Sequence, residues 1–77
     1  MLKNEEIIAK VENAFSPLRC VAEIWDYDSK LRFKVFDEND NGIIEMPKAV
    51  LSNMRDKKEL ESLLQQYHSL LQDKGFI

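Results

Sequence analysis

Two stretches of the chain repeat apolar residues at intervals of three and four positions, which is the period of an amphipathic helix. In residues 4–15 the apolar stripe consists of Ile7, Ile8, Val11 and Phe15. In residues 57–73 a longer stripe consists of Leu60, Leu63, Leu64, Tyr67, Leu70 and Leu71. The pattern therefore predicts one helix near each end of the chain, each with one side in the core.

Residue types that begin and end helices lie at suitable places around both stretches. Asn4 is predicted to cap the first helix and Pro17 to end it. Asp56, followed three residues later by Glu59, resembles a capping box at the start of the second helix. Gly75 is the residue type that commonly ends a helix, so the second helix is predicted to stop just before it.

Between the two predicted helices, apolar and polar residues alternate with the period of a strand. The alternation covers residues 19–27 and 31–36, which carry β-branched and aromatic side chains. A third, shorter run covers residues 43–46, and Pro47 is predicted to close it. The middle of the chain therefore predicts three strands.

The predicted element order is α-β-β-β-α, in a single domain that spans residues 1–77. Three strands joined by short turns form an antiparallel meander most simply, with both amphipathic helices on one face of the sheet. The predicted fold class is therefore α+β. The structure of residues 47–55 is left open, as a loop or as a short strand or turn that buries Val50 and Leu51.

The dipeptide Asn41-Gly42 predicts the second hairpin. A two-residue type I′ turn needs a positive φ at both central residues, and Asn-Gly meets that need best. With this turn Asn39 lies opposite Ile44, and Glu38 lies opposite Glu45. The second pair brings two like charges together, which a longer loop would relieve.

A two-residue turn at Asp28-Ser29 predicts the first hairpin, with Ile24 opposite Phe33 and Ala22 opposite Val35. Each turn fixes the register of one hairpin, and the register determines which side chains share a face of the sheet, because side chains alternate along a strand. Both turns assign the same set to the core face: Ala22, Ile24, Leu31, Phe33, Val35, Ile44 and Met46.

The opposite face of the predicted sheet is left open to water because both helices lie on the core face. Its predicted members are Val21, Glu23, Trp25, Tyr27, Lys30, Arg32, Lys34, Phe36, Ile43 and Glu45. In the predicted register Glu23 lies opposite Lys34, and Trp25 lies opposite Arg32. The open face therefore combines aromatic side chains with basic ones.

Composition and charge narrow the class of protein. Hydrophobic residues make up 44% of the chain, which is enough for a globular fold. The formal net charge is −3, so the chain lacks the excess of basic residues that is typical of nucleic-acid-binding domains. Cys20 is the only cysteine, so no intramolecular disulfide can form and a reducing cytoplasm is predicted. The first residues are too charged for a signal peptide, and no apolar run is long enough for a membrane span.

Residues 37–48 resemble the start of an EF-hand calcium loop. Asp37, Asn39 and Asn41 occupy alternate positions, as calcium ligands do in that loop. The twelfth position needs a bidentate carboxylate but holds Lys48, and the preceding segment has the period of a strand rather than of a helix. We therefore expect a hairpin loop here and no specific calcium site.

Residues that could carry catalysis are few, and the chain is predicted not to be an enzyme and to hold no cofactor. His68 is the only histidine, and it lies beside the leucine stripe, where a solvated surface residue is expected. Arg19 next to Cys20 could lower the pKa of the thiol, but a cysteine on the core face of a strand usually behaves as a small hydrophobic residue. No nucleophile and base with supporting neighbours can be assigned.

The element order is similar to that of the double-stranded RNA-binding domain, whose last helix opens with a basic cluster that contacts phosphates. Arg55, Lys57 and Lys58 stand at that place, although Asp56 and Glu59 interrupt them. A second nucleic-acid hypothesis places single-stranded bases on the open sheet face, against Trp25, Tyr27, Arg32 and Lys34. Nucleic-acid binding is therefore kept as the alternative function.

An aromatic face rimmed by charges is also typical of protein interfaces. The predicted interaction surface consists of Val21, Trp25, Tyr27, Arg32, Lys34, Phe36 and Ile43. Its predicted occupant is a protein partner or a second copy of the chain, and the first or third strand offers an edge for pairing. A small inhibitor of a larger complex, of the kind that phages encode, is a further form of the same function.

The segment "EIIAKVENAFSPLRCVAEI", residues 6–24, resembles the opening of a small family of uncharacterised bacterial proteins. The matching residues are Ile7, Ile8, Ala14, Phe15, Pro17, Leu18 and Cys20. The resemblance implies a small bacterial cytoplasmic protein. It implies no activity and no catalytic residue.

Overall fold

The computed structural model describes residues 1–27 and 29–77 as a helix, a three-stranded sheet and two further helices. The elements are α1 (Asn4–Ala14), β1 (Arg19–Trp25), β2 (Lys30–Phe36), β3 (Gly42–Val50), α2 (Leu51–Met54) and α3 (Lys57–Asp73). The strands pair antiparallel in the order β1-β2-β3. The predicted α+β meander is confirmed, and the open segment 47–55 contains the end of β3 and the short helix α2.

The ends of α3 follow the sequence prediction closely. The Asp56 carboxylate accepts hydrogen bonds from the backbone N–H of Lys58 at 2.9 Å and of Glu59 at 3.5 Å, so it caps the helix. At the other end Gly75 has a φ of 84°, and Phe76 N–H donates to the carbonyl oxygen of Leu71, as in a Schellman motif.

The start of α1 differs by one residue from the prediction. Lys3 is the capping residue, and its backbone N–H donates to the Glu6 carboxylate at 3.0 Å. Asn4 is already helical, and its side-chain oxygen accepts a hydrogen bond from Arg55 at 2.7 Å instead of capping the helix. The prediction for Asn4 was wrong because a distant arginine uses its side chain.

Strand β3 is more than twice as long as predicted, and Pro47 does not close it. The N–H of Ala22 in β1 donates to the Glu12 carboxylate, so it points away from β2. Ala22 lies opposite Phe33, and because the two residues do not exchange hydrogen bonds, the N–H and C=O of Phe33 point toward β3. Phe33 lies opposite Met46, which places the nitrogen of the next residue, Pro47, on the outer edge of the sheet. A proline there costs the sheet no hydrogen bond, so the strand continues.

The predicted register of the first hairpin is wrong by two residues. Ala22 lies opposite Phe33 and Ile24 lies opposite Leu31, because the connection is longer than a two-residue turn. The predicted Asp28-Ser29 turn falls partly on residue 28, which lies outside the described residues. A shift of two positions keeps every side chain on its face, so the assignment of faces holds.

The second hairpin has a five-residue loop, Asp37–Asn41, instead of a turn at Asn41-Gly42. The Asp37 carboxylate accepts the backbone N–H groups of Asn39 at 2.8 Å and Asn41 at 2.9 Å, and Asp40 takes the positive φ of 61°. The hydrogen bond from Asn41 is the main reason that the pKa of Asp37 is lowered from 3.8. This side-chain acceptor favours the longer loop, which the dipeptide signal alone did not reveal.

The longer loop also changes the charge pairs of the sheet. Glu45 lies opposite Lys34 rather than opposite Glu38, so the unfavourable pair of the predicted register does not form. Ile44 lies opposite Val35 rather than opposite Asn39. The sheet therefore has better charge pairing than the sequence prediction gave it.

One hydrophobic core fills the space between the sheet and the helices. Its buried members are Ile7, Val11, Phe15, Cys20, Leu31, Phe33, Val35, Met46, Leu51, Met54, Leu60, Leu64 and Leu71. Phe33 lies near its centre, with ring centroids 5.5 Å from Phe15 and 5.2 Å from Tyr67. The helices thus cover one face of the sheet and leave the other face uncovered.

Candidate interaction surface

We define the outer face as the side of the sheet that points away from the core. Val21 is 45% exposed on this face, Arg32 and Lys34 are exposed, and Trp25 and Phe36 are half-buried. These five residues of the predicted interaction surface are brought together on two adjacent strands, β1 and β2. The outer face therefore exists as a continuous surface.

Two residues of the predicted surface lie elsewhere. Ile43 adjoins an irregularity in the pairing of β2 with β3, and it packs against the buried core. Tyr27 lies beyond the end of β1, in the hairpin tip, where its side chain is fully exposed. The alternation of a regular strand does not apply at either position.

Two residues that the sequence reasoning missed belong to the outer face. Val50 lies opposite Lys30 and is 46% exposed, whereas one of the two alternatives left open for residues 47–55 buried it together with Leu51. Pro47 lines a groove on the same face. Val50 and Pro47 lie on this face because β3 continues past Pro47, whereas the sequence predicted that the strand ends there.

Cations cover the aromatic rings of the outer face. The Arg32 guanidinium carbon lies 5.5 Å from the centre of the Trp25 ring, by a diagonal contact, since the residue directly opposite Trp25 is Lys30. Phe36 has Arg19 on its ring at 4.2 Å and the Lys34 ammonium at 5.6 Å. Such contacts are worth about 0.5–1 kcal/mol each at exposed sites, so they orient the cations.

The Trp25 indole has an unmet hydrogen bond. Its Nε1–H is buried and has no acceptor among residues 1–27 and 29–77. A buried donor without an acceptor costs about 1–3 kcal/mol. Within the described residues, this unpaired donor therefore offsets part of the stability gained by burying the indole ring.

The same cations pair with carboxylates. Arg32 Nη2 lies 2.9 Å from a Glu23 oxygen, and Lys34 Nζ lies 4.0 Å from a Glu45 oxygen. Arg19 Nε donates to Asp40 at 3.1 Å. All three pairs are exposed and contribute little to stability, but they make the outer face nearly neutral.

A shallow groove of about 380 Å³ runs across the outer face. Its lining includes apolar groups of Val21, Phe36 and Pro47 and charged groups of Arg32, Lys34 and Glu45. A side chain on Gly42 would collide with Lys34 Cε, so the glycine at this position gives the lysine room to lie across the face. The groove thus combines an apolar floor with charges of both signs.

The edges of the sheet are less available for pairing than the sequence predicted. On β1 the Glu12 carboxylate accepts the outward-facing N–H of Ala22 at 3.2 Å. On β3 the residue Pro47 offers no N–H at the outer edge, and the pairing with β2 is irregular beside it. The uncovered face is therefore the better candidate for contact with another molecule.

The basic cluster at the start of α3 does not form one free patch. The Arg55 guanidinium donates to the Leu2 carbonyl at 3.0 Å and to Asn4 at 2.7 Å, and both contacts are partly buried. Lys57 Nζ lies 4.0 Å from a Glu61 carboxylate oxygen, while Lys58 is exposed. Arg55 thus holds the N-terminal segment, which leaves Lys57 and Lys58 as candidate phosphate contacts.

Reactive and metal-binding groups were also located. His68 is half-buried beside a small hollow that Ala14 and Glu61 help to line. Within residues 1–27 and 29–77 no three histidine, cysteine, aspartate or glutamate side chains come together as a metal site. None of the helices in the described part of the chain is long and apolar enough to span a membrane.

Burial raises the pKa of the Cys20 thiol from 9.0 to about 12, and the charge of Glu12 adds to the effect. The thiol is therefore expected to resist alkylation at pH 8 in the native protein and to react on unfolding. As the pH rises, the thiol loses its proton in the unfolded chain before it does so in the native protein. Its ionisation should therefore leave the free energy of unfolding unchanged below pH 9.0 and lower it between pH 9.0 and about 12.

Urea unfolding at a series of pH values, with Cys20→Ala as control, measures this effect. The alanine variant removes the thiol while every other titrating group stays. If both proteins lose stability at the same rate above pH 9.0, the raised pKa of Cys20 is refuted.

Comparison with known proteins identifies no relative. A scan against protein-family models gives no match, and searches of curated proteins and of solved structures give none either. The resemblance of residues 6–24 to a bacterial family stays a prediction.

Proposed function

We propose that this protein is a non-enzymatic interaction module that binds a protein through the outer face. The observation that carries the proposal is the uncovered face itself, with its groove between Val21, Phe36 and Pro47. Aromatic and arginine side chains around an apolar centre are the composition of protein interfaces.

The charges of the outer face favour a protein over nucleic acid. A chain of phosphates along Arg32 and Lys34 would also meet Glu23 and Glu45, which flank these cations. Bases stack on free aromatic rings, but cations already lie over Trp25 and Phe36. A protein surface with charges of both signs fits this arrangement better than a uniform polyanion does.

The proposal assigns no catalytic residue and no cofactor. The buried Cys20 thiol has a raised pKa, which disfavours the reactive thiolate. The proposed setting is the cytoplasm of a bacterium, as the resemblance of residues 6–24 implies. A small inhibitor of a larger complex is one form that such a module takes.

Site-specific photo-cross-linking in the cells that produce the protein tests the proposal. A photoreactive residue replaces Val21 in the outer face, and in a matched control it replaces Gln66, which is exposed on α3. We expect a protein adduct at position 21 that is absent at position 66. Adducts that are equal at both positions, or absent at both, would refute binding through the outer face.

A fluorescence titration of Trp25 tests the nucleic-acid alternative. Single-stranded DNA and double-stranded RNA are added at low and at high salt, because binding to phosphates must strengthen as the salt concentration falls. We expect no change at either concentration. A signal at low salt that disappears at high salt would instead favour nucleic-acid binding.

A further inference from the structure

The tip of the first hairpin holds a bulky residue, Tyr27, in a backbone conformation that it does not favour. Asp26 has a φ of 56° and Tyr27 a φ of 54°, so two consecutive residues with side chains lie in the left-handed region. Glycine adopts this region freely and Asn or Asp occasionally does, whereas a tyrosine rarely does. Ser29 holds the turn, since its hydroxyl donates to the Asp26 carbonyl at 2.6 Å and its N–H donates to the Trp25 carbonyl at 3.2 Å.

The side chain of Tyr27 contributes no packing to this fold. Its relative exposure is 102%, which equals that of a tyrosine in an extended chain. A glycine would adopt the same backbone with less strain. The presence of a large aromatic side chain at this position therefore points to a contact outside the molecule.

The groove of the outer face is complementary to this tip. Its volume of about 380 Å³ has room for an aromatic ring against Val21 and Phe36. Its cations, Arg32 and Lys34, are held only by exposed ion pairs with Glu23 and Glu45, so the Asp26 carboxylate that stands beside Tyr27 can exchange with these weak partners. Tip and groove thus match in size, in apolar character and in charge.

The tip cannot reach the groove of its own chain. Val21 and Trp25 are four residues apart on β1, which is about 13 Å along a strand, and Tyr27 lies beyond the end of that strand. We propose that Tyr27 of one copy occupies the outer-face groove of a second copy. A two-fold axis makes the contact reciprocal and closes the dimer. This inference rests on the proposed function, since it names the protein that the outer face binds.

Sedimentation equilibrium over a range of concentrations tests the inference with the protein alone. The wild-type chain is expected to dimerise, and Tyr27→Ser and Val21→Glu are each expected to weaken the dimer at least about tenfold, as loss of a central contact does. Tyr27→Phe keeps the ring and is expected to dimerise nearly as well as the wild type.

A double variant separates loss of contact from loss of structure. Asp26→Asn combined with Tyr27→Gly introduces two residue types that tolerate a positive φ, so in dilute, monomeric samples its melting temperature should not fall, whereas at higher concentration its dimer is lost. Mixing Tyr27→Ser with Val21→Glu should restore some dimer, because one intact tip then meets one intact groove. Both results would support the reciprocal contact.

Two outcomes would overturn the inference. One is a strictly monomeric wild-type chain at millimolar concentration, and the other is a dimer that neither Tyr27→Ser nor Val21→Glu weakens. In either case a cross-link from position 21 to a different protein would leave the proposed function standing. Absence of any adduct at position 21 together with a monomeric chain would remove both.

Discussion

Replacing Phe33 with alanine is expected to lower the free energy of unfolding by about 3–5 kcal/mol. Phe33 is 2% exposed, and its ring contacts those of Phe15 and Tyr67, so truncation leaves a cavity between the sheet and two helices. A domain of 77 residues has about 4–12 kcal/mol of stability in total. The variant should therefore unfold at a much lower urea concentration than the wild type, as urea titrations followed by circular dichroism will show.

Phe36→Ala is the matched control, since Phe36 lies on the same strand as Phe33 but on the outer face. Its ring contacts Arg19 and Lys34 and lies outside the buried core, so we expect a loss of only about 1 kcal/mol. Equal losses for the two alanine variants would contradict the assignment of the two faces.

Replacing Arg55 with alanine is expected to cost about 2–3 kcal/mol of stability. Its guanidinium bonds to the Leu2 carbonyl and to Asn4 are partly buried, and its own carbonyl accepts the Leu2 N–H at 3.1 Å. Without the side chain, the start of α1 loses two of its links to the α2–α3 junction. Hydrogen exchange should then become faster at the start of α1, and the urea midpoint should fall.

Lys58→Ala provides the comparison, because Lys58 is exposed and close to Arg55 in the chain. We expect its stability to stay within about 0.5 kcal/mol of the wild type. If Arg55→Ala were as stable as Lys58→Ala, the structural role of Arg55 would be wrong, and its guanidinium would be available for phosphates after all.

Sequence periodicity determined the elements and the two faces of the sheet. The stripes in residues 4–15 and 57–73 specify helices, because the spacing of apolar residues must match the helical turn for one side to be buried. Face assignment survived an error of two residues in the first hairpin and one of four at the Val35–Ile44 pair of the second, since side chains alternate with a period of two; it failed at Ile43, beside a pairing irregularity. The outer-face residues Val21, Trp25, Arg32, Lys34 and Phe36 could therefore be predicted.

Loop lengths, cross-strand partners and the extent of β3 were decided only by the tertiary structure. The Asp37 carboxylate takes two backbone N–H groups of its loop, which lengthens the second hairpin beyond the turn that Asn41-Gly42 favours. Pro47 stays in its strand because its nitrogen points away from the sheet, which depends on pairing and not on residue type.

The position of Tyr27 shows most clearly the difference between what the sequence pattern determines and what the tertiary structure decides. Alternation alone places it on a strand, whereas the left-handed backbone of Asp26 and Tyr27 removes it from the sheet and exposes it at the tip. The spacing of apolar residues shows which side of a helix or strand is buried, because the same side is buried repeatedly along the element. It does not show where a chain reverses or which distant group a side chain meets, because those depend on contacts formed once in the folded molecule.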